Sequence, residues 1–306
     1  MPPSSWGELN GRQLKRIHKM LGKGYDRIEF KLRVFLMLMR LNIRKRAQRE
    51  EDGTYTYFFR RKGLIPLLRN ERLRMLSWEV EYWISKYMSF LDEPVHVTTL
   101  PFEWTWVCGR RYKAPEFRMS SVTYEQYGNA QRYLSAYWDC QNLCETLLKN
   151  GATRKAVRHA RSQALDARAG FLAHLYIAPS FQLTDSRHEG TRLSLQRVYH
   201  YDSERAERNK RRMRMASSYL FDLTVWYFQS CLKEYSEELP LLFKEHKGPD
   251  GKSAMFMEIG TINAVLKYAG YTSQQDVYDT NAIFVFDILN SMAQEAEEIE
   301  RINRKR

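Results

Sequence analysis

The sequence predicts a mainly α protein, a multi-helix bundle with at most a small β-hairpin or short sheet near residues 54–68 and 103–113. Three observations carry that expectation. Apolar residues recur at steps of three and four through several long segments, the period of a helix buried on one face. Only 15 Gly and 9 Pro occur in 306 residues, few for a sandwich or barrel that must turn every ~8 to 12 residues. No regular alternation of strand and helix runs is visible, which argues against a parallel sheet. A hydrophobic content of 43% with 13% aromatic residues excludes a disordered chain.

Each element follows in order. Ser5-Trp6-Gly7-Glu8 has the form of a capping box and predicts a short first helix that stops at Gly22-Lys23-Gly24. Asp26 with Glu29 opens a second, whose run of Leu32, Val34, Phe35, Leu36, Met37, Leu38, Met39 and Leu41 is apolar nearly all round and therefore crosses a core. Glu50-Glu51-Asp52-Gly53 turns the chain. Tyr55-Thr56-Tyr57-Phe58-Phe59 reads as a strand, and residues 64–68, interrupted by Pro66, as a weaker edge segment. The helical period is clearest over residues 71–91, where Leu73, Leu76, Val80, Trp83, Ile84, Tyr87 and Leu91 share a face, with Asn70 as N-cap and Trp83 in the core.

Residues 94–115 break the helical pattern, and Trp104-Thr105-Trp106-Val107 before Cys108-Gly109 suggests a second short strand leading to a turn. Thr123 with Gln126 caps a long helix that stops at Asn150-Gly151, the best candidate boundary between an N-terminal region, 1–150, and a C-terminal region, 151–306, unless both form one domain. Val157, Ala160, Ala164, Leu165, Phe171, Leu172 and Leu175 mark another amphipathic helix, with the Arg168 stem along its apolar edge. Residues 178–204 read as irregular. The basic run over 204–215 merges into an aromatic helix through 232, and 247–253 is a loop. A last helix, 280–303, packs Phe284, Ile288, Met292 and Ile299, with Glu297–Arg301 and Glu300–Arg304 as i,i+4 pairs.

The formal charge of +13 is unevenly spread. Residues 1–75 hold 19 basic and 7 acidic side chains and residues 151–218 hold 14 and 6, whereas residues 219–306 hold 9 and 14. Such alternation fits a polyanion partner, and equally fits basic segments meeting acidic ones within or between chains. Two clusters are candidate polyanion-binding sites. Arg44, Lys45, Arg46 and Arg49 face Arg60, Arg61 and Lys62 across a turn; Arg205, Arg208, Lys210, Arg211, Arg212 and Arg214 form the second. Tyr55, Tyr57 and Phe58 could stack on bases if exposed. The preferred reading makes the rings core and the charges a solvated or partner-facing surface, because no recognised nucleic-acid motif accompanies them. Any nucleic-acid binding is then weak, insensitive to sequence and strongly reduced by salt.

No spacing marks an active site. Gly248-Pro249-Asp250-Gly251-Lys252-Ser253 ends like a phosphate loop, but His246 stands where the motif needs its first Gly, so the segment reads as a turn. Cys140 and Cys144 share a helix face without the further ligands that zinc needs, and the seven His show no metal-binding spacing. A catalytic triad can converge from distant positions, yet the expectation is a protein that is not an enzyme and needs no cofactor or metal. The first ten residues lack a signal-peptide pattern and no run of ~18 apolar residues occurs, so a cytoplasmic protein with reduced thiols and no membrane contact is expected.

Ser5-Trp6-Gly7-Glu8-Leu9, Tyr55-Thr56-Tyr57-Phe58-Phe59-Arg60, the 76–91 segment, Gly109-Arg110-Arg111-Tyr112-Lys113-Ala114-Pro115 and Val122-Thr123-Tyr124-Glu125-Gln126-Tyr127 appear in this order, followed by Leu175-Tyr176-Ile177-Ala178-Pro179, Trp226-Tyr227-Phe228-Gln229-Ser230-Cys231 and Asn263-Ala264-Val265-Leu266. Together they resemble tail-assembly-region proteins of Bacteroidales phages and prophages, with Ile177 standing where that pattern has Arg. The resemblance implies a chaperone-like assembly role, a protein partner such as the tape-measure or another tail protein, and a place in the bacterial host cytoplasm or on the virion. Met37 and Met39, or Met255 and Met257, could line a groove for a partner's amphipathic helix, although Met at helical spacing also fills cores.

Overall fold

Side-chain oxygens of Asn10, Asp26, Thr123, Thr153, Asp202, Ser217, Ser273 and Asn281 each accept a hydrogen bond from an amide two or three residues on, and each begins a helix. A cap of this kind contributes ~1 kcal/mol by satisfying an amide that the helix cannot. The computed structural model describes residues 3–43, 48–51, 55–61, 71–184, 194–243 and 259–304. These form a mainly α protein with small antiparallel sheets, in two units, Met1–Val97 and Thr98–Arg306.

The first unit runs α1 (Gly11–Leu21), α2 (Arg27–Leu38), β1 (Leu41–Ile43), β2 (Gln48–Arg49), β3 (Tyr55–Arg61), β4 (Glu71–Leu76) and α3 (Ser77–Tyr87). β3 is central, with β4 on one side and β1 and β2 on the other, all antiparallel. Ile17, Val34, Phe35, Phe59 and Met88 are fully buried, and Trp6 meets Phe90 edge to face at 5.2 Å. Three expectations change here. Ser5 does not cap a helix: Trp6–Glu8 is a single 3-10 turn closed by Glu8 on the Ser4 amide (3.0 Å), and the capping box is Asn10 with Gln13. The start of the 71–91 segment is strand, because Arg72 and Arg74 alternate with Leu73 and Met75 at period two and β3 offers an edge, pairing Phe59 with Leu73. The helix begins only at Ser77, where the Glu79 carboxylate accepts the Leu76 amide at 2.8 Å. Trp83 is half-buried and stacks on Tyr87 at 5.1 Å instead of entering the core. The expected edge segment at 64–68, and Asn70, the expected N-cap of the 71–91 helix, lie outside the described residues.

The second unit opens with the hairpin β5 (Trp104–Val107) and β6 (Arg110–Lys113). Cys108 (φ 46°) and Gly109 (φ 72°) are both left-handed, as a two-residue turn matched to strand twist requires. Then come α4 (Tyr124–Lys149), α5 (Arg154–Leu175), the hairpin β7 (Ser180–Thr184) and β8 (Ser194–Val198), α6 (Ser203–Met213), α7 (Ser218–Glu238), α8 (Ile259–Ala269), α9 (Gln274–Asp279) and α10 (Ala282–Asn303). The expected boundary at Asn150-Gly151 is the turn between α4 and α5, which pack along their length, so it falls inside this unit. Residues 178–204 are not irregular throughout: Ser180-Phe181-Gln182-Leu183-Thr184 alternates polar and apolar, and pairs with β8 from Ser180↔Val198 to Thr184↔Ser194. The basic and aromatic runs are separate helices, α7 restarting at its cap Ser217.

Aromatic rings make this core. Phe171 of α5 meets Phe221 and Phe228 of α7 edge to face, and Phe286 of α10 meets Tyr124 and Tyr127. Phe286 therefore sets the rotation of α10, leaving Phe284 and Ile299, both expected inside, exposed. Arg118 (φ 49°) and Met119 (φ 58°) are consecutive left-handed residues, each costing roughly 1–2 kcal/mol. α7 holds them. The Met119 amide donates to the Tyr227 hydroxyl (2.8 Å), which donates to Glu116 O (2.5 Å); the Tyr235 hydroxyl donates to Arg118 O, and the Arg118 guanidinium pairs with Glu234 and Glu238.

Candidate functional site: a basic-rimmed cleft

α1 and α2 enclose a cleft of about 710 Å³ in the first unit. Its apolar surface comes from Met20 on α1, Leu36, Met37 and Leu38 at the end of α2, and Leu41 of β1. Arg12 and Arg16, four apart on one face of α1, join Lys23, Arg33 and Arg40 as its cations, and Asn10, Gln13 and Asn42 add amides. Among the described residues that line it none is acidic. Arg33 is compensated from outside, pairing with Glu29 (2.6 Å) and lying 4.2 Å above the Tyr25 ring; that carboxylate holds the guanidinium pKa above its ordinary value. Arg27 and Lys31, also on α2, are engaged by Asp92. Arg40 has a φ of 55°, at the point where α2 gives way to β1. A left-handed arginine is strained, and strain persists where surrounding structure imposes it. Of the methionines expected to line a groove, Met37 borders this cleft and Met39 does not; Met255 and Met257 lie outside the described residues.

The described members of the predicted basic clusters are not among the residues that line this cleft. Arg49 and Arg60 are exposed at opposite ends of the sheet, Arg49 opposite Tyr55 and Arg60 opposite Asn42. Tyr55, opposite Arg49, lies five residues before Arg60 along β3, about 17 Å at strand rise. Arg61 is the last residue of β3, and Arg44, Lys45, Arg46 and Lys62 lie outside the described residues. Arg214, the C-cap of α6, pairs with Asp166 of α5 (3.2 Å), and within α6 Lys210 pairs with Glu207 (2.9 Å). Arg208 and Arg211 are exposed, away from the buried face of Ala206, Asn209 and Met213, whereas Arg205 is half-buried and the side chain of the exposed Arg212 reaches Tyr112 of β6.

A polar cluster that no sequence spacing revealed joins α4, α5 and α6. His174, nearly fully buried, has Nδ1 2.6 Å from the Tyr201 hydroxyl and Nε2 3.1 Å from Glu207. Glu207 also accepts from Tyr133, whose ring stacks on the imidazole at 5.3 Å, and from Lys210. An ionised carboxylate only accepts, so Nε2 carries the proton and Nδ1 accepts from Tyr201, which accepts from Asn129 (3.1 Å). Burial lowers the His174 pKa despite Glu207. Burial acts to raise that of Glu207, but hydrogen bonds from Tyr133, Lys210 and His174 win and bring it to about 2. Each of these groups has a partner, so the cluster reads as a staple between helices. Gly170 makes room for it, since a Cβ there would lie 2.4 Å from the Tyr133 ring. The sequence signal was faint: one His in an apolar run, and Glu207 three residues before Lys210.

No family model matches the chain, and searches of curated proteins and of solved structures found no similar protein. Among the described residues no group of three or more His, Cys, Asp or Glu could hold a metal. Cys144 is buried and Cys140 half-buried. Residues 248–253, with the phosphate-loop-like turn, lie outside the described residues. Among the described residues no helix is long and apolar enough to cross a membrane.

Proposed function

We propose that the chain is a non-enzymatic binding protein of a phage or prophage tail-assembly system, acting in the host cytoplasm or on the virion, and that its partner is another protein such as the tape-measure protein. One observation carries this reading: the α1–α2 cleft combines a methionine- and leucine-rich surface with a rim of cations, the chemistry that receives an amphipathic helix. Burial of partner side chains contributes ~25 cal/mol per Å² before ordering costs, while charge mainly speeds encounter. Co-expression with the tape-measure protein encoded nearby, then a pull-down and an aggregation assay over a range of salt, tests it. The partner should co-purify and remain soluble, and Met37→Asp should abolish both. If the partner does neither while nucleic acid repeatedly co-purifies, the reading fails.

A second reading, binding of nucleic acid without sequence specificity, is favoured by the exposed Arg208, Arg211 and Arg212 of α6. It requires affinity that falls steeply with salt.

A further inference from the structure

α10 is 22 residues long, and its first half is buried through Val285, Phe286 and Ile288. Residues 294–304 are all exposed, including Ile299 at 59% and Ile302 at 48%. At 100° per residue, Glu295, Glu298, Ile299 and Ile302 fall within an arc of about 100°. Arg301 and Arg304 point to the other side, where Arg304 pairs with Glu300 at 3.2 Å. The end of α10 therefore presents a face that is apolar and acidic, touched among the described residues at Glu295, which accepts a hydrogen bond from the Tyr268 hydroxyl of α8 at 2.6 Å, and left exposed at Glu298, Ile299 and Ile302.

The α1–α2 cleft is its complement: apolar within, with Arg12, Arg16, Lys23 and Arg40 on the rim and no acidic group among its described lining residues. Charge over the whole sequence runs the same way, basic in the first 75 residues and acidic in the last 88.

We infer that the cleft of one copy receives the last turns of α10 from a second copy. This rests on reading the cleft as a protein-binding site, and it names the chemistry that the site takes: an acidic, isoleucine-bearing helix. Cleft and helix end are different surfaces, so the contact is heterologous. Glu298 and Arg16 supply charge while Ile299 and Ile302 supply apolar area.

Sedimentation of the full chain over a concentration series, at low and high salt, tests this with two charge-reversed variants. Arg12→Glu/Arg16→Glu reverses the cleft, and Glu298→Lys reverses the helix end while leaving the Glu295–Tyr268 bond in place. Wild type should self-associate, more weakly at high salt, and each variant alone should lose at least tenfold in association. An equimolar mixture of the two should regain it, because each cleft then meets a helix end of opposite charge. Circular dichroism of each variant checks that the fold is intact. A wild-type chain that stays monomeric at every concentration, or a mixture that fails to regain what the variants lost, overturns the inference. If the cleft variant nevertheless loses the tape-measure partner, the protein-binding reading stands without self-association; if it keeps that partner, both fall.

Discussion

Replacing Gly170 by Ala should destabilise the second unit, although Ala is the better helix former. Gly170 lies inside α5, and a Cβ built there meets Tyr133 at 2.4 Å from Cδ1, 2.5 Å from Cε1 and 2.6 Å from Cγ. Contact at an ordinary distance requires the ring to retreat by about 1 Å, and the ring root, not a flexible tip, is the obstacle. Overpacking of this kind costs ~1–3 kcal/mol. Retreat also loosens the Tyr133 hydroxyl from Glu207 and Lys210 and the ring from His174. Better helix propensity returns ~1 kcal/mol. The net expectation is a loss of about 2 kcal/mol, or a Tm lower by ~4–8 °C for a unit of this size. Thermal scans at 222 nm measure it. Tyr133→Ala removes the obstacle, so in that background Gly170→Ala should be neutral or stabilising by up to ~1 kcal/mol. A single variant that melts above wild type would refute the close packing of α4 on α5.

Acid should weaken the second unit in two steps. The folded-state pKa of His174 lies below its ordinary 6.5, so the unfolded chain binds the proton first and stability falls as pH drops below about 6.5. Glu207, held at about 2 against an ordinary 4.5, adds a second loss as pH falls through that window. His174→Gln should flatten the upper step of the urea midpoint against pH, and an unchanged profile would remove His174 as its source. Thiol labelling should be ordered: the exposed Cys108 reacts in the native protein, whereas Cys231, buried and pushed up to about 12, reacts only on unfolding. Equal rates under native conditions would contradict the burial of Cys231.

Elements whose signal is local were legible. Thr123 with Gln126 announced α4, Asp26 announced α2, and Trp104-Thr105-Trp106-Val107 before Cys108-Gly109 announced a hairpin. Errors arose where a partner decides. Leu73 and Leu76 suit a helix face and a strand equally, and the edge of β3 selected the strand. Phe284 and Phe286 compete for one core, and only the rings of Tyr124 and Tyr127 settle which enters. The cleft was half legible: Met37 stood out, but Arg12 and Arg16 became rim residues only once α1 lay beside α2. The His174 cluster draws on three helices, so no spacing along the chain could display it.

The segment between β6 and α4 has a consequence for biosynthesis. Its left-handed residues are held by Tyr227 and Tyr235, and its end is tied to the start of α10: Ala282 N donates to Val122 O (2.9 Å), Tyr124 N to Thr280 O (2.8 Å), and the Asn281 side chain to Ser120 O, 161 residues away in sequence. At 5–20 residues per second a ribosome needs about 8–32 s to travel from one strap to the other. The α4–α5 hairpin closes through a short turn and can form early in that interval. Ser120 and Val122 must wait for it to end. A nascent chain paused short of residue 280 would carry a helical hairpin whose entrance is unlatched, and this is the state in which a cellular protease or chaperone would meet it.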